Sequence, residues 1–317
     1  MPLRAKNLAE ATEMKTLFAI TKRNVKVFFK DKGMFFTSLI TPIILLVLYA
    51  TFLAKVYRDS FTTNAPEGFD IPQKIVSGIV SGELFSSLLA VSCVTVAFCS
   101  NMLTVQDKTS GARNDFLVSP VRSSTLSVSY FLSTFISTII VTLVATAACF
   151  IYIAAQGGWF FGVKDVLLIL SDVILLTLFG TALSSFVNGF ISTSGQGQGV
   201  GTIVSAGYGF LCGAYMPIAS FGKGLQNAMM FLPGTYGTSL LRNHTLDAAF
   251  NEMAALNFPS AEIRDGVLKG MKDGIDCNIY FFDTKVELWV MYLVLIGATL
   301  LFLGAYVLVN AIRTKRK

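Results

Sequence analysis

Long apolar runs separated by short polar stretches dominate this chain. The runs fall at about 35–54, 75–103, 126–154, 166–187, 200–220 and 286–310. Each is near or above the roughly twenty residues that an α-helix needs to cross bilayer hydrocarbon. Six transmembrane helices follow, in an all-α integral membrane protein. Ahead of the first run, residues 15–32 alternate with helical period. Leu17, Phe18, Thr21, Val25, Phe28 and Phe29 share one face, and Lys15, Lys22, Arg23, Lys26 and Lys30 share another. That pattern predicts an amphipathic helix lying on the membrane surface, basic side toward anionic headgroups.

One apolar stretch breaks the rule. Residues 223–243 (KGLQNAMMFLPGTYGTSLLRN) are interrupted by Pro233-Gly234 and Gly237, so they suit a pair of short re-entrant helices better than a crossing. The polar residues 244–284 then form a small external elaboration. The chain divides accordingly into a cytoplasmic leader (1–34), helices one to five (35–220), an external segment (221–285), and the last helix with its basic tail (286–317).

Composition agrees with a lipid-solvated chain. Hydrophobic residues make up 53% and charged residues 14%, against about 25% charged in soluble domains. The mean hydropathy is +0.64. The net charge of +6 suggests nucleic acid until its location is considered: the basic residues flank apolar runs, where they set membrane orientation. The leader carries eight Lys and Arg between Arg4 and Lys32, and the tail carries Arg313, Lys315, Arg316 and Lys317. The loop between the second and third runs adds Lys108, Arg113 and Arg122. With an even number of crossings these three regions share one side, which the positive-inside rule makes the cytoplasm. Loops 55–74, 155–165 and 221–285 take the other.

Most familiar chemistry is excluded. Four of five cysteines lie inside apolar runs, leaving no disulfide framework or metal spacing. His244 is the sole histidine, which argues against a His-based metal cluster or a Ser-His-Asp triad. The triplet Asn243-His244-Thr245 fits a glycosylation acceptor, a pattern that often arises by chance. No cleavable signal precedes the first run. No phosphate-binding G-x-x-x-x-G-K-[ST] occurs; the glycine run from Ser194 to Gly201 lacks its lysine and follows an apolar helix, as a flexible turn would. The expectation is therefore no catalytic, cofactor or metal site on this chain.

Three features carry function. Gly201, Ser205, Gly209 and Gly213 recur every fourth residue, a stripe that lets helices approach closely within the chain or between two copies. Glu83 and Asp172 lie inside apolar runs, where an ionisable group is expensive and marks a pathway or gate unless it makes a structural hydrogen bond. Two scattered carboxyls make a poor proton relay, which argues against a secondary transporter. In loop 104–124, Phe116, Leu117 and Val118 put an apolar patch on a short cytoplasmic connection, suited to docking another protein or to a plain solvated linker.

The order of parts resembles a permease subunit of the ABC type-2 exporters. Three patches carry the likeness. They are the leader running into the first span (FAITKRNVKVFFKDKGMFFTSLITPIILLVLY), the loop from Asp107 to Pro120, and the exit of the fifth span. That exit reads Gly213-Ala214-Tyr215-Met216-Pro217-Ile218, followed by Leu232-Pro233-Gly234-Thr235-Tyr236 and Leu241-Arg242. Two departures stand out: Gln106-Asp107 replaces an opening glutamate, and 244–284 is longer than the family's compact form.

The resemblance implies that residues 107–120 form a coupling helix seated in a separate ATPase subunit. Asp107, Lys108, Gly111, Arg113, Phe116, Leu117, Ser119 and Pro120 would make that contact. It places Tyr215, Pro217, Pro233 and Tyr236 beside Glu83 and Asp172 as candidate pathway or gate residues. It implies a homodimer or heterodimer of six-helix halves in a bacterial plasma membrane, both termini cytoplasmic, with ATP and Mg on the partner subunit. The cargo would be amphiphilic: a drug, lipid or antimicrobial peptide. A polysaccharide or teichoic-acid exporter is the alternative within the family. A membrane immunity or sensor protein is the alternative outside it.

Overall fold

A computed structural model describes residues 2–55, 71–119 and 121–315, the side chains of 2–11, 50, 53, 117 and 313–315 excepted. It is helical apart from one small hairpin. The helices are α1 (Pro2–Lys30), α2 (Lys32–Leu48, continued by a π turn at Tyr49–Leu53), α3 (Gln73–Thr109), α4 (Ala112–Val118), α5 (Ser123–Ala155) and α6 (Val163–Phe190). Then come α7 (Ser194–Leu211), a 3-10 turn (Ile218–Ser220), α8 (Lys223–Met229), α9 (Pro233–Ala254), α10 (Ala261–Gly274), strands β1 (Tyr280–Phe281) and β2 (Thr284–Lys285), and α11 (Leu288–Lys315).

Four of these, α3, α5, α6 and α11, are each long and apolar enough to cross a membrane. Residues 12–48 reach that standard only as a pair, α1 and α2 meeting at 71°. The elbow has a local cause: Asp31 caps α2, its carboxylate accepting from the Met34 amide at 3.0 Å, and an N-cap residue leaves the helical conformation. The fifth apolar run behaves differently from its expected 200–220. α7 starts at Ser194, so its first turns are glycine and glutamine, and it stops at Leu211. Gly213 has φ +74, a left-handed C-terminal turn that favours glycine.

α3 is the axis of the bundle. At 37 residues it is about 55 Å long, and 94% of its most apolar window is buried. It is apolar on every side, as an interior helix must be, and α2, α5, α6, α7 and α9 all pack against it. Its hydroxyls turn back on their own helix, as with Ser92 to the Leu88 carbonyl at 2.6 Å and Thr95 to the Val91 carbonyl at 3.0 Å. Asn101 instead crosses to α6, donating to the Ser184 and Ser185 hydroxyls at 3.2 and 2.9 Å. α11 is the opposite case, only 17% of its window being buried. Its outward Trp289, Leu293 and Leu300 are what lipid solvates.

Residues 223–243, expected as a short re-entrant pair, fall on two helices, α8 and the start of α9, with a break at 230–232, but the second does not end at 243. α9 continues to Ala254 and packs against α3, α6 and α11. Leu246, Ala249, Phe250 and Met253 extend its buried face. The polar elaboration is thereby reduced to α10 and the hairpin. The hairpin's two turn residues, Phe282 and Asp283, have φ of 43 and 68, the sign that a tight two-residue hairpin demands.

α3 and α6 touch backbone to backbone at Gly180. A Cβ there would stand 2.5 Å from the Cys93 carbonyl oxygen and 3.0 Å from the Val94 Cα. Gly180→Val should destabilise the bundle by about 1–3 kcal/mol through overpacking. Gly304→Ala, in open space on α11, should not. Thermal melts in detergent compare the two, and equal midpoints would contradict this crossing.

Candidate functional site

Two ionic constructions sit at opposite ends of α3. At its C-terminal end the chain turns through Gly111, whose φ is +85 with open space around it, into the two-turn helix α4. Asp107 and Lys108, just before the turn, point inward. Asp107 is buried and forms a two-pronged pair with Arg23 of α1, at 2.5 and 3.2 Å. The Tyr130 hydroxyl of α5 donates to the same carboxylate at 2.7 Å. Lys108 reaches α6 and donates to the carbonyls of Asn188, Gly189 and Ile191 at 2.8, 3.3 and 3.3 Å. Those are the orphan carbonyls of a helix C-terminus, where a cation is favoured.

The outward side of α4 is different. Phe116 is half-buried beneath the Arg23 guanidinium, 5.7 Å from ring centre to carbon. Ser119 closes the helix by donating to the Phe116 carbonyl at 2.6 Å. Arg113 is partly buried, whereas Asn114 and Asp115 are exposed. Val118 is 90% exposed. The side chain of Leu117 and the whole of Pro120 lie outside the described residues. The family resemblance grouped Asp107 and Lys108 with the docking face; in the structure they tie the root of α4 to α1, α5 and α6. Arg23 was expected among the basic residues facing headgroups and turns instead to Asp107, and Tyr130 had no sequence signal, because their shared partner lies in another element.

The small-residue stripe divides in the same way. Gly209 is covered from within the chain: a Cβ there would meet the Tyr215 ring at 2.4–2.6 Å, and the Tyr215 hydroxyl lies 3.4 Å from the Ser205 carbonyl. Gly201 opens onto empty space. Gly213 lies beyond the helix, so the stripe on α7 comprises three positions rather than four.

At the other end of α3 is a buried charge cluster. Arg242 of α9 is 1% exposed and the largest fully buried side chain in the bundle. It lies 2.6 Å from the Glu83 carboxylate of α3 and 3.0 Å from that of Asp276. It also donates to the Gly213 carbonyl at 2.7 Å and the Ser87 hydroxyl at 3.2 Å. Asp276 in turn accepts from the amides of Ile218 at 2.6 Å and Ala219 at 3.4 Å, and holds φ 54 to do so. Burial pushes the Asp276 carboxyl above the ordinary range, against the pull of Arg242 and those two amides.

Asp172 has its own partners. The His244 ring nitrogen is 2.5 Å from one carboxylate oxygen and the Tyr292 hydroxyl donates to the other at 2.8 Å. This joins α6, α9 and α11. Glu83 and Asp172, the two intramembrane carboxyls flagged by sequence, thus sit in separate clusters and share no bonded partner. Pro217 precedes the 3-10 turn, Pro233 occupies the first turn of α9, and Tyr236 is buried, donating to the Met230 carbonyl at 2.7 Å. Together they fix the path from α7 to α9.

The family model described as ABC-2 type transporter matches residues 15–245. The match begins in α1 and includes α4, Glu83 and Arg242; it ends before Asp276, α10, the hairpin and α11. No curated protein matches the chain.

Removing the cation from its carboxylates should be the most damaging change in this region. Arg242→Met leaves two acids buried without compensation and should lower stability by about 3–5 kcal/mol. Arg242→Met with Glu83→Gln and Asp276→Asn should recover most of that loss. Detergent melting of both variants checks this; a single variant as stable as wild type contradicts it.

Proposed function

Because the chain belongs to the ABC-2 type transporter family, whose permeases work with an ATPase subunit, we propose that it is the membrane half of an ATP-driven exporter. It supplies the translocation path for an amphiphilic cargo, a drug, lipid or antimicrobial peptide. ATP and Mg are bound and used on the partner subunit, and this chain breaks no bonds.

The observation that carries this reading is the mounting of α4. A short helix with an exposed apolar tip at Val118 is joined through two residues, Ser110 and Gly111, to the central helix. Its root is clamped by Asp107 to α1 and α5 and by Lys108 to α6. A force applied to α4 has little slack to take up before it moves α3. Motion of α3 reaches the other end of the molecule through the Glu83–Arg242 pair. Rigid-body displacement of packed helices is the kind of transition such a frame supports.

Six crossings complete the proposed topology. α1 lies along the inner surface, α2 with its π turn makes the first crossing, and α7 makes the fifth. The basic leader, the α4 loop and the basic tail then share the cytoplasmic face of the plasma membrane. α2 and α7 leave apolar side chains exposed, among them Ile40, Ile43, Ile203 and Phe210. A second permease copy, identical or related, packs there in the proposed assembly.

The test is to co-purify the chain with a cassette ATPase and follow ATP hydrolysis and efflux together. Wild type should retain the ATPase. Val118→Asp should insert normally yet lose efflux, since it places a charge on the docking tip. Asp107→Asn should weaken coupling by loosening α4 at its root. Unimpaired efflux by Val118→Asp would remove the coupling role.

A further inference from the structure

α10 buries none of its residues fully, resting on the core through partly buried Val267, Leu268 and Met271. Lys272 lies over the Phe250 ring of α9 at 5.2 Å, and a cleft of about 410 Å³ opens between α9, α10 and the start of α11. That is the size of a small-molecule site. Its floor is apolar, with Val286 and Met291 both buried. Its walls are charged: Asp247 comes from α9, Asp265, Lys269 and Lys272 from α10, and Lys285 and Glu287 from the segment entering α11.

These six charges balance to zero, three cations against three anions. None of the three lysines forms an ion pair with any of the three acids among the described residues. Asp265 pairs only with its chain neighbour Arg264, at 2.9 Å. With Asp265 met by Arg264, Asp247 and Glu287 face the three lysines, so a ligand of one sign entering this cleft meets repelling groups as well as attracting ones. A ligand carrying both signs meets partners for each, over an apolar floor. Lys269 and Lys272 are three residues apart and so adjacent on the helix surface, a placement suited to one oxyanion.

We propose that this cleft binds a zwitterionic phosphate–amine group, the phosphate on the α10 lysines and the amine against Asp247 and Glu287. Its level in the molecule fits a headgroup. Leu288 lines the cleft and opens the spanning helix α11, and the next residue, Trp289, is 64% exposed. Tryptophan at the end of a span marks the headgroup zone of a bilayer. The same chemistry could arrive on a membrane lipid or on a soluble phosphodiester.

The experiment uses the full chain in detergent, without an ATPase, so it stands apart from the transport reading. Native mass spectrometry measures retention of added phosphatidylethanolamine against phosphatidylglycerol. Glycerophosphoethanolamine, the same headgroup without acyl chains, is titrated as a competitor. Wild type should retain the zwitterionic lipid in preference to the anionic one. Lys269→Gln with Lys272→Gln, and separately Asp247→Asn with Glu287→Gln, should each weaken retention by about tenfold or more, since each removes both side chains that meet one charge of the headgroup. Lys164→Gln, an exposed lysine outside the cleft lining, should not. Displacement by glycerophosphoethanolamine assigns the site to the headgroup alone; resistance to it assigns the site to intact lipid. Equal retention of both lipids, or retention unchanged in both double variants, overturns the proposal. All these positions except half-buried Lys272 are exposed, and melting curves confirm that each variant is folded.

Discussion

An arginine with no access to water must have its charge met by protein, and this fold is arranged around that requirement at Arg242. Its guanidinium gathers a carboxylate from α3, a carboxylate from the segment after α10, a hydroxyl and a backbone carbonyl. Those partners come from three places in the chain, the carboxylate and the hydroxyl of α3 lying one turn apart. Bringing them together closes the upper end of the bundle, because the loop after α7 is held by Gly213 and, through Asp276, by Ile218 and Ala219. Replacing such a cluster by apolar groups is often neutral in energy, whereas breaking it is severe. Its consequence is therefore geometric: it allows one seating of α9 against α3.

The opposite end of α3 repeats the principle with lighter parts. Asp107 is buried, while Arg23 remains partly exposed, so the pair is less desolvated than that of Arg242 and correspondingly easier to open. Between the two clusters α3 is an unbroken helix, packed on all sides, with Gly180 of α6 pressed against its backbone. A long rod fixed at both ends and crowded along its length moves as one piece. That mechanical property links a docking helix on one face to a capped opening on the other.

Apolar runs were readable wherever helix length and hydropathy coincide, which is why α3, α5, α6 and α11 fall where the pattern put them. α7 and α9 show where such reading stops. Where α7 ends depends on the left-handed turn at Gly213, stabilised by contacts from Ile218 and Arg242 that no local window contains. α9 continues past residue 243 because Arg242, Asn243 and His244 are satisfied by remote partners; by composition alone the helix ends at Asn243 and a polar segment begins at His244. Glu83 and Asp172 were detectable as intramembrane carboxyls, since a buried charge is rare enough to signal something. Their partners were not, because neither Arg242 nor His244 lies near them in sequence. Asp107 and Lys108 carry the same lesson, sitting in a motif whose exposed members face outward while they face in.

The account turns on Glu83 holding the upper segments to α3 through Arg242. Hydrogen–deuterium exchange of wild type and Glu83→Gln in detergent tests that link directly. Peptides covering 213–219 and 275–279 should exchange faster together in the variant, while those covering 107–118 stay unchanged. Identical exchange at both upper segments would show that α3 does not hold them, and the rod would have nothing to move.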